Sequence, residues 1–311
     1  MTTEDKPPAK RAWWQSPWLL PIYIYLVLLC MLAVFQRSLI YYPRRVDVIS
    51  PIDAGLPETH VHEVSVTSDD GTVLHGWFLP AGGRTCVDDA QYAEHLGSGR
   101  MVAVIFCGNA GHRGYRGDVM TLFSSQEVDT LIFDYRGSGT NDGSPRESAI
   151  IADSRAIWRH VTQEQQVAPE RMIIFGESLG GGVATQLAAY ACRNGEMPRA
   201  LVLQATFTSL VDAAGHHYPW LPVRWLLVDR FESDAVIPDV SCPLLHLHGT
   251  SDEVVPFSLG QRLFDCAPET SQAGLAKEFV ELPGIGHNNI DRSKDSKYGR
   301  AVADFLRQIS G

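Results

Sequence analysis

A single serine, Ser178, stands among glycines where an apolar run gives way to a helix-like segment. The pentapeptide Gly176–Gly180 fits the pattern Gly-x-Ser-x-Gly. That pattern is typical of a sharp strand-to-helix turn that exposes the serine hydroxyl at the end of the strand. The flanking residues suit such a turn, since 172–175 are apolar and 182–191 contain no proline. The pattern predicts a nucleophilic serine; the alternative is a serine that only caps a helix in a glycine-rich turn.

A serine hydroxyl becomes a good nucleophile when a base removes its proton and a third group holds that base in place. His287 follows a Pro-Gly-Ile-Gly loop after the last apolar run of the chain, and Asp252 lies in the loop after the run before it. We therefore predict that Ser178 attacks, His287 takes and returns the proton, and Asp252 orients His287. Glu253 is a competing acid, but Asp252 suits the loop position better.

A developing oxyanion also needs hydrogen-bond donors. The segment 106–114 is a glycine-rich loop after another apolar run, and Leu179 follows the proposed nucleophile directly. We predict that the backbone N–H groups of Asn109 and Leu179 form the oxyanion hole. The alternative for 106–114 is an ordinary turn between a strand and a helix.

Other patterns argue against further classes of site. His246 and His248 precede Asp252, but a binuclear metal motif would want an aspartate two residues after the second histidine. The residues there are Gly249, Thr250 and Ser251, so we predict neither a metal nor a cofactor. The net charge of −10, without a basic stripe, excludes a nucleic-acid backbone as a partner. The six cysteines show no zinc-type spacing. A disulfide involving Cys86 stays open.

The elements that must position these residues follow from the hydrophobic pattern. Two alternating segments, 61–68 and 72–80, flank an Asp-Gly turn and predict an antiparallel hairpin. Six short, continuously apolar runs predict strands that are buried on both faces. They lie at 101–108, 130–137, 171–178, 200–206, 243–250 and 277–284.

Helix-like segments separate most of these runs, and 81–100 is predicted to be a polar loop. The predicted helices lie at 115–124, 148–162, 182–191, 258–264 and 297–309. Alternation of strands and helices predicts an α/β fold with a mostly parallel eight-stranded sheet and helices on both of its faces. In such sheets, functional residues collect at the carboxyl ends of the strands.

The segment 207–240, between the sixth and seventh predicted strands, is rich in aromatic residues. We interpret it as a short lid that lines an acyl pocket, and we predict that Tyr218 and Trp220 contact the substrate. The alternative is a connecting helix that packs on the sheet.

The first part of the chain has a different composition. Residues 12–36 carry no charge, and the apolar run at their centre is long enough to cross a bilayer. We predict a tail at 1–17, a transmembrane anchor at 18–36, a linker at 37–57 and a catalytic domain at 58–311. A cleaved signal peptide is the alternative, but no small-x-small site follows the run.

Aromatic residues flank the predicted anchor, as is typical of membrane interfaces. They are Trp13, Trp14, Trp18, Tyr41 and Tyr42. Basic residues are balanced on its two sides, with Lys6, Lys10 and Arg11 before it and three arginines after it. The short tail favours a cytoplasmic N-terminus, which would put the catalytic domain on the non-cytoplasmic side.

Seven segments together resemble the serine α/β-hydrolase fold superfamily. More closely, they resemble the membrane-anchored α/β-hydrolase-domain proteins, which have one N-terminal span and a compact hydrolase domain. The segments are "LIYYPRR" (39–45), "GNAG" (108–111), "DYRGSGTNDGSP" (134–145), "GESLGGG" (176–182), "YPWLP" (218–222), "HGTSDEVVPF" (248–257) and "GIGHNNI" (284–290). The resemblance covers nearly the whole chain beyond residue 18. One departure is Cys107, where the group usually has a histidine, and it leaves open what supports the oxyanion loop.

The resemblance implies a membrane-anchored serine hydrolase that cleaves an ester, thioester or lipid acyl bond through an acyl-enzyme. The group includes lipases, protein depalmitoylases and general esterases, so the implied partner is a lipid or small-molecule acyl substrate or an acylated protein. A serine peptidase of the same fold is one alternative. A membrane-tethered binding protein that keeps the fold without the chemistry is another.

Overall fold

The structure, a computed structural model, describes residues 17–310 of the 311-residue chain. The predicted tail lies outside the described residues except for its last position, and so do Trp13 and Trp14.

An eight-stranded sheet forms the centre of the molecule, in the order β8-β7-β6-β5-β3-β4-β2-β1. Its strands are β1 His62–Thr67, β2 Val73–Leu79, β3 Val102–Phe106, β4 Asp129–Phe133, β5 Met172–Glu177, β6 Ala200–Gln204, β7 Leu244–Gly249 and β8 Glu278–Leu282. Strand β2 runs antiparallel to its neighbours β1 and β4, and the other neighbouring pairs are parallel. The predicted mostly parallel eight-stranded sheet is therefore confirmed.

Helices from the part of the chain after residue 80 cover both faces of this sheet, and a long helix precedes it. In chain order, the helices are α1 Leu20–Ile40, α2 Asp89–Gly97, α3 Gly117–Ser124, α4 Glu147–Arg159, α5 Leu179–Arg193, α6 Leu210–His217, α7 Val223–Leu226, α8 Phe257–Cys266 and α9 Lys297–Ile309. Successive residues of β3 point to opposite faces, as strand geometry requires. Val104 packs in a core with residues of α4, α5 and α8, whereas Ile105 packs in a second core with residues of α3 and α9.

Helix α2 lies within 81–100, where the sequence predicted a loop. The carboxylate of Asp88 accepts a hydrogen bond from the Gln91 N–H at 2.8 Å and caps the first turn. Tyr92 and Leu96, which are one turn apart, are both buried. The predicted loop was wrong because tertiary packing of two buried side chains, together with one N-cap, stabilises a short helix even where the segment is mostly polar.

Helix α1 continues to Ile40, beyond the predicted end of the anchor at 36. It is the one helix in the described part of the chain that is long and apolar enough to cross a membrane, and almost none of it is buried. The segment predicted as a linker lies against the domain. Residues Tyr42–Pro43 pair in parallel with Ala110–Gly111, and the backbone of Arg45 forms an isolated parallel β-bridge with Gly139.

The predicted lid segment forms helices α6 and α7, followed by a short 3-10 turn at Ile237–Asp239. It lies beside α1 as well as over the sheet. The side-chain amide of Gln36 donates to the Leu226 carbonyl at 3.1 Å, and its oxygen accepts from the Val228 N–H at 2.7 Å.

Candidate active site

Ser178 stands at the junction between β5 and α5. Its backbone has φ 53° and ψ −118°, an uncommon conformation for a residue with a side chain. A Cβ at Gly176 would lie 2.4 Å from the Gly180 carbonyl oxygen, and a Cβ at Gly180 would lie 2.1 Å from the Phe106 carbonyl oxygen. The backbone therefore approaches the flanking residues too closely for any side chain, which requires glycine at both positions. Helix α5 begins at Leu179, earlier than the predicted helix at 182–191.

The three residues predicted as a triad lie within hydrogen-bond distance of one another. The distance from His287 Nε2 to Ser178 Oγ is 3.1 Å, and that from His287 Nδ1 to Asp252 Oδ2 is 2.7 Å. With the proton on Nδ1, His287 donates to Asp252 and can accept from Ser178. Ser178 follows β5, Asp252 follows β7 and His287 follows β8, so all three lie at the carboxyl ends of parallel strands.

Asp252 is held as a buried carboxylate. Its Oδ1 accepts hydrogen bonds from the N–H groups of Val254 at 2.9 Å and Val255 at 2.8 Å. Burial alone would raise its pKa, but contacts with His248 and His287 and the Val255 amide outweigh burial and lower the pKa of Asp252 below its usual range. Glu253, the competing acid, is exposed.

Asn109 and Leu179 line the same cavity as Ser178. As the first residue of α5, Leu179 has a backbone N–H that no carbonyl within the helix can accept. The Leu179 N–H is therefore available beside Ser178, and Asn109 lies in the wall of the same cavity.

Comparisons with known proteins identify the family of the chain. A family model described as serine aminopeptidase, S33, matches residues 97–231. An uncharacterised protein of Mycobacterium tuberculosis is 37% identical over 275 residues, which are 88% of this chain and 86% of that protein. The lysophosphatidylserine lipase ABHD12 of Danio rerio is 32% identical over 317 residues, which cover 93% of this chain and 82% of that protein. The chain belongs to the ABHD12-like family of α/β-hydrolases.

A solved structure shows the same fold. An esterase of Pyrococcus furiosus aligns with a TM-score of 0.62 and 17% identity, covering 88% of this chain and 98% of that chain. The predicted resemblance, the fold class and the assignment as a hydrolase are confirmed.

The loop predicted to form the oxyanion hole is held in place by the chain that leaves α1. The Asn109 side-chain amide donates to the Ile40 carbonyl at 2.8 Å, and the Asn109 carbonyl accepts from the Tyr42 N–H at 3.0 Å. At the departure from the family pattern, the Cys107 carbonyl accepts from the Tyr135 hydroxyl at 2.8 Å. Burial raises the pKa of the Cys107 thiol to about 12, so it is no competing nucleophile.

A cavity of about 180 Å³ lies next to Ser178, with mostly apolar walls. The walls come from the end of α1, the lid segment and the loop after Asp252; they include Leu39, Ile40, Phe207, Leu210, Leu227, Val254 and Val255. Tyr218 and Trp220, predicted as substrate contacts, lie outside this cavity and are largely exposed. Sequence reasoning chose them for their aromatic character and overlooked the aliphatic residues of α1.

A charge network beside Ser178 was also missed. Arg292 Nη2 lies 2.9 Å from Glu177 Oε2, and Arg116 Nη2 lies 3.1 Å from Glu177 Oε1. Arg292 also pairs with Asp118 at 2.8 Å. The network ties the loop that carries His287 to the end of the strand that carries Ser178. The only sequence signal was the position of Glu177, directly before the serine.

The histidines that suggested a metal motif have other partners. His246 is fully buried against Phe279, and burial lowers its pKa well below the usual value, so it is a neutral core residue. His248 Nε2 lies 3.0 Å from the Val255 carbonyl and 3.4 Å from the Asp252 carboxylate.

Proposed function

We propose that this chain is a membrane-anchored serine hydrolase that cleaves the ester bond of a single-chain lipid. The observation that carries the proposal is the hydrogen-bonded series from Ser178 through His287 to Asp252, which opens onto an apolar cavity. The relatives named as lysophosphatidylserine lipases support the substrate class.

In the proposed mechanism, Ser178 Oγ attacks the ester carbonyl while His287 Nε2 takes its proton. Asp252 holds the imidazole in the required tautomer and stabilises the imidazolium. The N–H groups of Asn109 and Leu179 donate to the oxyanion. His287 then gives its proton to the leaving alcohol. In the second half of the reaction, His287 takes a proton from the water that attacks the acyl-enzyme and returns it to Ser178 Oγ as the fatty acid leaves.

The cavity favours an acyl chain over a peptide. An aminopeptidase must bind a charged terminal amine, and an acidic side chain is the usual partner for one. Among the described residues, those that line the cavity beside Ser178 include no aspartate or glutamate. Because the matching family model is described as a serine aminopeptidase, a serine peptidase is the second candidate. A thioester of an acylated protein would use the same cavity as a lipid ester.

We propose that α1 is the anchor, because it is apolar from Leu20 to Phe35 and exposed on most of its surface. The catalytic domain is proposed to lie on the non-cytoplasmic side. Glycosylation sites introduced at exposed loops of the catalytic domain would test this orientation, since only a lumenal or extracellular domain would be modified.

The first experiment is labelling of detergent-solubilised protein with a fluorophosphonate probe. Wild type should react, Ser178→Ala should not, and Ser251→Ala, which changes an exposed serine near the site, should react like wild type. Absence of labelling in folded wild type would support the non-catalytic binding protein instead.

The labelled enzyme should then be assayed against lysophospholipids of increasing chain length and against aminoacyl amides. Faster turnover of the lipids is the expected result. Turnover of the amides alone would contradict the proposed lipase function and support the serine peptidase.

A further inference from the structure

The segment Tyr218–Val228, here called the lid arm, lies along helix α1. Gln36 makes two hydrogen bonds to its backbone at one end, through the Leu226 carbonyl and the Val228 N–H. Gln36 is buried and directly follows the apolar part of the helix. The lid arm is therefore attached to α1 by a paired contact and not merely adjacent to it.

The contact continues well into the apolar part of the helix. The Tyr25 hydroxyl donates to the Trp220 carbonyl at 3.0 Å. At 1.5 Å per residue, Tyr25 and Gln36 are about 16 Å apart along the helix axis, which is about half of the length of α1. If α1 crosses a bilayer, a segment that accompanies it over that distance enters the lipid as well.

The polar boundary of this assembly is marked by charges. Arg37 is the first charged residue after the apolar run, and it pairs with the buried Asp229 at 3.2 Å. The Tyr41 hydroxyl donates to the same carboxylate at 2.9 Å. Asp229 directly follows Val228, the last residue of the lid arm, so the arm lies on the apolar side of this boundary.

The lid arm presents apolar side chains to its surroundings. Trp225 is 90% exposed, Val228 65% and Trp220 58%. Its one charged residue, Arg224, is exposed and has a side chain long enough to extend to the headgroups. A mixture of tryptophan and arginine is typical of segments at a membrane boundary.

The backbone of the lid arm is also suited to lipid, where an unpaired N–H costs several kcal/mol. Pro219 and Pro222 carry no N–H at all. Most other N–H groups of the arm donate to nearby carbonyl groups or to Gln36; they are those of Tyr218, Leu221, Val223, Trp225, Leu226, Leu227 and Val228. An irregular segment with its donors satisfied in this way can leave water at low cost.

We propose that the lid arm is a second membrane-inserted segment, which lies in the same bilayer as α1 with Trp220 and Trp225 in contact with lipid. The proposal rests on the proposed anchoring and goes beyond it, because a single-pass anchor alone would leave the lid in water. It also identifies the source of the substrate. The cavity at Ser178 has walls from α1 (Leu39 and Ile40) and from the lid arm (Leu227), so an acyl chain would enter directly from the bilayer.

A fluorescence experiment on the full-length protein tests this proposal. Three variants each keep one reactive cysteine, with the other accessible cysteines among Cys30, Cys192 and Cys266 changed to alanine. One variant keeps Cys30 on α1, the second carries Trp225→Cys, and the third carries Val87→Cys. Each is labelled with a nitrobenzoxadiazole maleimide and placed in phosphatidylcholine vesicles with or without acyl-chain nitroxide lipid.

Val87 is the matched control because it is exposed at the opposite end of the molecule. It follows β2, whose end is tied to the start of β4 by the Ala81 N–H and Asp129. The labels at Cys30 and Trp225→Cys should lose about half of their emission to the nitroxide, and the label at Val87→Cys should lose almost none.

The outcomes separate the two proposals. Quenching at Cys30 without quenching at Trp225→Cys would overturn the insertion of the lid arm and leave the anchor intact. Absence of quenching at both positions would overturn anchoring and insertion together. Quenching at Trp225→Cys alone would support the lid arm as a membrane contact and overturn α1 as a transmembrane helix.

A kinetic measurement provides an independent readout. Trp225→Glu should lower kcat/KM for a lipid ester in vesicles about tenfold and leave kcat/KM for a soluble acetate ester unchanged. Val87→Glu should change neither. An equal loss on both esters, or no loss on either, would contradict the proposal.

Discussion

The two sides of the cavity at Ser178 are held in different ways. On one side, Ser178, Asp252 and His287 stand on the ends of strands in a buried sheet and bond to one another. On the other side, the lid arm is held to α1 by a few polar contacts and exposes most of its aromatic side chains. Under the proposed function, the difference implies that the reaction geometry depends on the sheet, while access of the substrate depends on the helix and the arm.

This comparison separates two kinds of variant. Changes on the sheet side should lower turnover of every ester alike. Changes on the lid side should affect lipids in a bilayer and spare short soluble esters.

The largest effect is expected for Asp252→Asn. An asparagine can keep the bonds from Val254 and Val255, but it favours the wrong tautomer of His287. By analogy with other triads, kcat should fall about 10⁴-fold for soluble and lipid esters alike. Glu253→Gln is the control and should keep full activity, as the competing acid is exposed. Equal losses in the two variants would contradict the assignment.

A smaller effect is expected for Arg292→Ala. This change releases the loop of His287 from Glu177 and allows the imidazole to move relative to Ser178. A displacement of about 1 Å costs up to about 10²-fold, so kcat should fall between about 10-fold and 10²-fold with KM little changed. Lys294→Ala alters an exposed residue of the same loop and should be neutral. A change in KM alone would show that Arg292 acts on the substrate instead.

On the lid side, Asp229→Asn should have a selective effect. It weakens the link of the lid arm to Arg37 and Tyr41 without touching the sheet. We expect turnover of lipid in vesicles to fall about threefold to tenfold, which corresponds to the loss of about one ordinary hydrogen bond, while a soluble ester is cleaved at the wild-type rate. Asp234→Asn, in the same segment, is the control. A parallel loss on both esters would remove the distinction between the two sides.

The smallest expected effect is on stability at acidic pH. The pKa of Asp252 is lowered on folding, so its carboxylate stabilises the native state above the pKa of an unfolded aspartate, about 3.9. This contribution, on the order of 1 kcal/mol, is lost as the pH falls below that value. The difference in free energy of unfolding between wild type and Asp252→Asn should be constant from about pH 7 to 5 and shrink below about pH 4. Denaturant titrations in detergent would measure it, and a difference that shrinks above pH 5 would oppose this interpretation.

The sheet and the order of Ser178, Asp252 and His287 could be predicted from sequence because both depend on local patterns. Buried strands are short apolar runs, and functional residues follow the ends of those runs. The pairing of Glu177 with Arg292 was not predictable in this way, because charged residues in loops have no periodicity that identifies their partners. The walls at Leu39 and Leu227 were missed for a related reason. They come together only when α1 packs beside a segment far along the chain, and no pattern within either segment indicates that contact.

The bonds that Asn109 makes to Ile40 and Tyr42 have a practical consequence for preparing a soluble enzyme. The apolar helix is an obvious segment to delete. A shortened protein that begins after Tyr42 would lose both bonds and, with them, the support of the proposed oxyanion loop. The deletion must end before Leu39, so that the last turn of the helix remains as part of the catalytic domain.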